Sequence, residues 1–131
     1  MYAELARTGN AFAMDLKNHM VGNTAYIITS ETTNDDILYH LYGILNSRIT
    51  LYCLDRMTTR FDDNGWRWLR QFVEHLYIPK YNGNHEFVKL VKSTNSSNQT
   101  IQSEQINEMV AQFYGLNEEE LCYINRQMKG Y

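Results

Sequence analysis

A single proline, Pro79, occurs in this chain of 131 residues, together with two cysteines and seven scattered glycines. Each scarcity excludes something. Glycines that stand singly, with no GxG, offer no loop through which a backbone could approach phosphate or ribose. Cys53 and Cys122, far apart in apolar helical contexts, read as buried small hydrophobes of a reducing compartment. No apolar run approaches ~18 residues without a charged or strongly polar side chain, so no membrane span is expected. The first residues lack the basic and apolar regions of a secretory signal, which points to a cytoplasmic protein. Neither sign of charge dominates. A net charge of −3 gives no global attraction to nucleic acid, so any DNA-binding face would have to be a local patch.

What is present is one domain's worth of chain, 1–131, with enough length for a single core. Ten tyrosines and two tryptophans fit a module that presents flat surfaces. Strand-like runs fall at 11–15 and 24–29, joined by the polar loop "KNHMVGN". "SETTNDD" then offers N-cap residues and places Asp35 and Asp36 in a first turn, where carboxylates favour the helix dipole. The apolar positions Leu38, Leu41, Tyr42, Leu45, Ile49 and Tyr52 recur in steps of three and four. They predict one central helix over 35–54. Inside it sits "YGILNS", whose Gly43 is a poor helix former and whose Asn46–Ser47 pair is polar. Gly43 is expected to admit a close neighbour, and Asn46 and Ser47 to hydrogen-bond to an adjoining strand or loop.

Residues 55–68 lose this periodicity and carry a turn signal at "DDNG". Leu69, Phe72, Val73 and Leu76 fit a helix, while "LYIPKY" reads as a strand because Pro79 biases Ile78 towards extended geometry. "HEFVKLVKSTN" is an amphipathic helix, 92–103 a polar linker, and 104–131 a helical segment. In that segment Ser103 caps one helix, Gly115 ends it and Asn117 caps the next. The expected fold class is therefore mixed α/β. A small, mainly antiparallel sheet from 11–15, 24–29 and 76–80 would pack on the central helix, with C-terminal helices on another side.

Catalytic constellations are weak. The histidines at 19, 40, 75 and 85 have no partner at metal-ligand spacing, and His40 reads as a surface or satisfied core residue. Asp15–Leu16–Lys17 has the carboxylate-x-lysine pattern of metal-dependent nucleases, but only Glu4 is available upstream as a further acid. Glu118–Glu120 is explained by the first turn of a helix. Nothing assembles a catalytic centre, so the chain is not expected to be an enzyme by itself.

"GNAFAMD", "TAYIIT", "LYGILNSRITLY", "LYIPK" and "VAQFYGLNEEEL" follow one another in an order that resembles the TaqI-like C-terminal specificity domain. The likeness runs from about residue 7 to 124. That family is the target-recognition part of adenine-specific DNA methyltransferases and of restriction enzymes that fuse nuclease, methylase and specificity. The likeness departs from the family at "YIPKY", where Ile-Pro-Ile-Pro is frequent. The Asn-Pro-Pro-aromatic motif of the methyltransferase part is absent, as a single proline requires. The resemblance implies double-stranded DNA as a partner, together with a methyltransferase domain and possibly a nuclease domain. S-adenosylmethionine would then be held by that catalytic part and no cofactor by this chain. The alternatives are a specificity half of a multi-subunit restriction system and a protein-interaction module with no DNA role.

Target recognition needs cations on phosphates, and Arg, Lys, Asn or Gln on base edges. The densest such stretch is Arg56–Arg70, with Arg56, Thr58, Thr59, Arg60, Asn64, Trp66, Arg67, Trp68 and Arg70. Arg56, Arg60, Arg67 and Arg70 are the expected DNA contacts, and Asn64 and Gln71 the weaker base readers. Lys17, Asn18 and His19 form a second possible patch, and Lys80, Lys89 and Lys92 are possible phosphate contacts. Asp55, Asp62 and Asp63 are placed to pair with the arginines. Of Trp66 and Trp68, at least one is expected in the core.

Overall fold

The computed structural model describes residues 2–3, 5–6, 12, 14, 25–31, 33–58, 60–62, 65–67, 70–94 and 99–129. Among these, helices dominate: α1 (Asp35–Leu45), α2 (Arg48–Met57), α3 (Arg70–Val73), α4 (His85–Thr94), α5 (Gln99–Phe113) and α6 (Glu118–Gln127). The expected α/β class, with a sheet packed on a central helix, is overturned. Extended pairing is confined to pieces of two or three residues: β1 (Tyr2–Ala3), β2 (Leu5–Ala6), β3 (Ala25–Tyr26), β4 (Arg60–Asp62) and β5 (Gly65–Arg67). β1 pairs with β3, and β5 lies between β2 and β4.

The physical reason is visible at the three expected strands. At 76–80 no ladder forms, because side chains take the backbone carbonyls that a neighbouring strand would have bonded. The Tyr114 hydroxyl donates to the Tyr77 carbonyl at 2.5 Å, and His40 Nε2–H donates to the Pro79 carbonyl at 2.8 Å. At 11–15, Phe12 makes an isolated bridge to Tyr2, and both its backbone groups are held by one side chain. Its N–H donates to Asn46 Oδ1 (3.0 Å), and its carbonyl accepts from Asn46 Nδ2 (3.1 Å). Among the described residues of 24–29, Ala25 and Tyr26 alone pair. Backbone groups satisfied by side chains no longer demand a sheet partner.

The single helix expected over 35–54 is likewise corrected to two. The apolar stripe continues through residues 46–47, but the backbone does not. Ser47 is extended (φ −73°, ψ 156°), and its Oγ accepts from the Thr50 N–H while donating to the Ile44 carbonyl. Asn107 of α5, buried, accepts the next free N–H of α2, that of Arg48, at 2.8 Å. Ser47 is thus an N-cap in the middle of an amphipathic run, and its chemistry overrides the run's periodicity. The expectation for Asn46 is met in its Phe12 contacts, and that for Gly43 by Phe87 and Val91. A Cβ on Gly43 would lie 2.5 Å from Val91 Cγ2 and 2.8 Å from Phe87 Cζ.

The core lies where α1 and α2 meet α4, α5 and α6. Ile44, Leu51, Leu54, Phe87, Val91 and Val110 are its most deeply buried members. Arg48 closes one side of it, donating to Asn125 of α6 and pairing with Glu104 of α5, both at 2.9 Å. At the end of α5, Gly115 (φ +71°) adopts the left-handed geometry. The Leu116 and Gly115 N–H groups bond back to Ala111 and Gln112, the pattern of a Schellman stop. Asn117 then caps α6 reciprocally with Glu120, as expected. Ser103 is corrected from cap to helix interior, since α5 already starts at Gln99. The polar linker expected at 92–103 is reduced accordingly, since α4 runs to Thr94 and α5 starts at Gln99.

The two cysteines also differ from expectation. Cys53 is half-buried, with its thiol pushed up by that burial, whereas Cys122 is exposed. The inward face of α6 runs through Leu121, Ile124 and Met128, and Cys122 falls beside it. Among the described residues, no helix is long and apolar enough to cross a membrane.

Candidate nucleic-acid interface

Between Leu54 at the end of the α2 core face and Phe87 at the start of the α4 face, no described side chain is buried. The described residues of 55–86 therefore form an excursion laid over the helical core. Phe72, Val73, Leu76 and Ile78 touch that core with partly buried side chains. The excursion leaves α2 at Thr58, whose N–H still bonds to the Leu54 carbonyl, and then makes the antiparallel pair β4–β5. It folds back as α3 against α2 and runs without helix or strand through 76–84, with Gly83 at φ +83°. It re-enters the core where Asn84 Oδ1 accepts the Phe87 N–H at 3.1 Å.

Most of the expected DNA contacts lie on this excursion. Arg56 is exposed on the last turn of α2, with its guanidinium 4.8 Å from the centre of the Tyr52 ring. Tyr52 in turn meets the exposed Tyr123 of α6 edge to face. Thr58 is the half-buried C-cap of α2. Arg60 stands across the ladder from Trp66, and Arg67, exposed, stands across from Leu5. Arg70 and Gln71 open α3, both exposed. Thr59, Asn64 and Trp68 lie outside the described residues, as do Lys17, Asn18, His19 and Asp15. From 56 to 71 the sequence sets four arginines against two aspartates, so this stretch is cationic in a chain that is acidic overall.

Arg70 pairs with Glu74, one helical turn on. Both partners are more than half exposed, so the pair is weak and open to exchange for a phosphate. Lys92, half exposed, lies with its Nζ 3.3 Å from Asp36 and 4.9 Å above the Tyr39 ring, which makes it a clasp between α4 and α1. Lys80 and Lys89 are exposed. His40 is a core residue. Its ring, 3% exposed, packs among Tyr81, Phe87 and Phe113.

Sequence reasoning missed Tyr77, the most exposed of the large hydrophobic residues described, at 77%. Its carbonyl is fixed by Tyr114, whose hydroxyl is pushed up to about 12, first by burial. An unfolded tyrosine titrates near ~10. The folded state therefore holds this proton more tightly. Its contribution is complete below pH ~10 and is lost as pH rises towards the folded value. A thermal denaturation series is expected to show a melting temperature falling through that window, and Tyr114→Phe is expected to flatten the fall. Tyr42, Tyr81 and Cys53, also raised by burial, act in the same direction. An identical slope in the Phe variant would remove Tyr114 from this role.

Among the described residues, no group of three or more His, Cys, Asp or Glu is placed to hold a metal ion. No protein-family model matches the chain, and neither does any curated protein or solved structure.

Proposed function

We propose that this protein is a DNA target-recognition module, with the excursion 55–86 as the face that meets the duplex. One observation carries the reading. Among the described residues of the cationic stretch no side chain is buried, and Arg56, Arg67 and Arg70 are exposed. Arg56, Arg67 and Lys80 would hold phosphates and set register, and Arg70 would exchange Glu74 for a phosphate or a guanine edge. Gln71 is suited to an adenine edge. The resemblance carried by "GILNS" and "YGLNEEE" supports an adenine methyltransferase, alone or fused to a nuclease, as the catalytic partner. Methylation of adenine requires the base to leave the stack, so such a module would grip the duplex while the partner's site, with S-adenosylmethionine, receives the base.

The test is an anisotropy titration of the chain against a short mixed-sequence duplex over a series of salt concentrations. Binding is expected to weaken linearly in log affinity against log salt. The Arg67→Ala, Arg70→Ala double variant is expected to lower that slope by roughly 1 to 2. Absence of binding at low salt, or a slope unchanged in the double variant, defeats the proposal.

A further inference from the structure

Building on the DNA-recognition reading, we propose that Tyr77 is an aromatic contact of that face, a ring that stacks on a nucleobase exposed at a distorted or opened step of the duplex. A large ring that is 77% exposed finds no compensation for its apolar surface within the fold. Its position, by contrast, is strongly determined. The Tyr77 carbonyl accepts from the Tyr114 hydroxyl, and two residues on, the Pro79 carbonyl accepts from His40 of α1, which is buried. Proline restricts the backbone between these bonds. The Tyr114 ring stands 6.1 Å from the Tyr77 ring, tilted by 57°, as a prop beside it. Two side chains rooted in the helical core thus staple a segment whose one outward feature is the tyrosine.

With its backbone already pinned, a tyrosine has only two side-chain torsions to fix on contact, which is the economy that makes Tyr and Trp effective recognition anchors. The charge next to it in sequence favours an anionic occupant: Lys80 follows three residues later, and Arg67 and Arg70 precede it, all exposed, with Glu74 paired to Arg70. An aromatic face flanked by cations suits a base with its phosphates, because every base offers a π face and stacking tolerates sequence.

The experiment uses the full chain and a mixed-sequence duplex carrying 2-aminopurine, with its single strand as a second probe. Tyr77→Ala is expected to weaken binding by roughly five- to hundredfold and to abolish the 2-aminopurine fluorescence change. Tyr77→Phe is expected to keep both, and the melting temperature of either variant to stay near that of the unaltered chain. An unchanged affinity in Tyr77→Ala, while the Arg67, Arg70 variant still binds less, overturns the stacking role and leaves the DNA-recognition reading in place. Equal losses in the Ala and Phe variants overturn it too, since the hydroxyl and not the ring would then be the contact. Failure of the unaltered chain to bind either probe overturns both readings.

Discussion

Replacing Gly43 with leucine is expected to destabilise the fold by about 3 kcal/mol or more, at the upper end of what overpacking costs. The first added carbon already decides the sign. It would fall 2.5 Å from Val91 and 2.8 Å from Phe87, and both residues are almost fully buried. Neither neighbour can retreat cheaply. Val91 is β-branched on α4, and Phe87 is enclosed by Phe113 and His40. Glycine in a helix interior costs roughly 1 kcal/mol relative to alanine. That cost is offset here by the close approach of α4 to α1. Gly43→Ala is expected to show the two effects in opposition, with a loss well below that of leucine. Urea denaturation of the three proteins measures the ranking. A leucine variant as stable as the parent would mean that α1 and α4 do not meet at this point.

Asn46→Leu is expected to cost roughly 2 to 4 kcal/mol. The Asn46 amide satisfies both backbone groups of Phe12, whose side chain is buried. Removing the amide orphans a donor and an acceptor together. Leucine also favours helix at a point where the chain must leave it, so the variant supports a continuous helix that the Ser47 cap opposes. Asn46→Asp keeps the acceptor for the Phe12 N–H and loses the donor, and is expected to fall between. The same variants separate packing from recognition. Stability should fall while any DNA sequence preference holds, and a change in preference at unchanged stability would make Asn46 part of the interface.

The helices were legible where local chemistry and tertiary need agree. Asn34 and Asn117 cap as their positions suggest, Gly115 stops α5, and "HEFVKLVKST" forms the expected amphipathic α4. Misreadings arose where one signal stood for two structures. An unbroken apolar period over 35–54 cannot distinguish one helix from two that share a face, because the break at Asn46–Ser47 preserves the inward stripe. "LYIPKY" carries the bias that Pro79 sets, but such a segment makes a strand only if a neighbour bonds to it, and that depended on Tyr114 and His40, residues distant in sequence. The arginine-rich candidate segment was visible in composition. The exposure of Arg56, Arg67 and Arg70 was not, and neither was that of Tyr77, which by residue type alone reads as one more aromatic.

By itself, then, the sequence determined the caps, the stops, the inward faces of the helices and the cationic character of 56–71. These depend on residues within a turn or two of one another, where a side chain reaches its own backbone. Only the tertiary structure decided that the long helix breaks, that backbone at Phe12, Tyr77 and Pro79 is satisfied by side chains instead of a sheet, and that one tyrosine is pinned outward. Those outcomes rest on contacts between residues more than thirty positions apart. Such contacts form because buried backbone groups must find partners, and the nearest partner in space is set by how the helices pack.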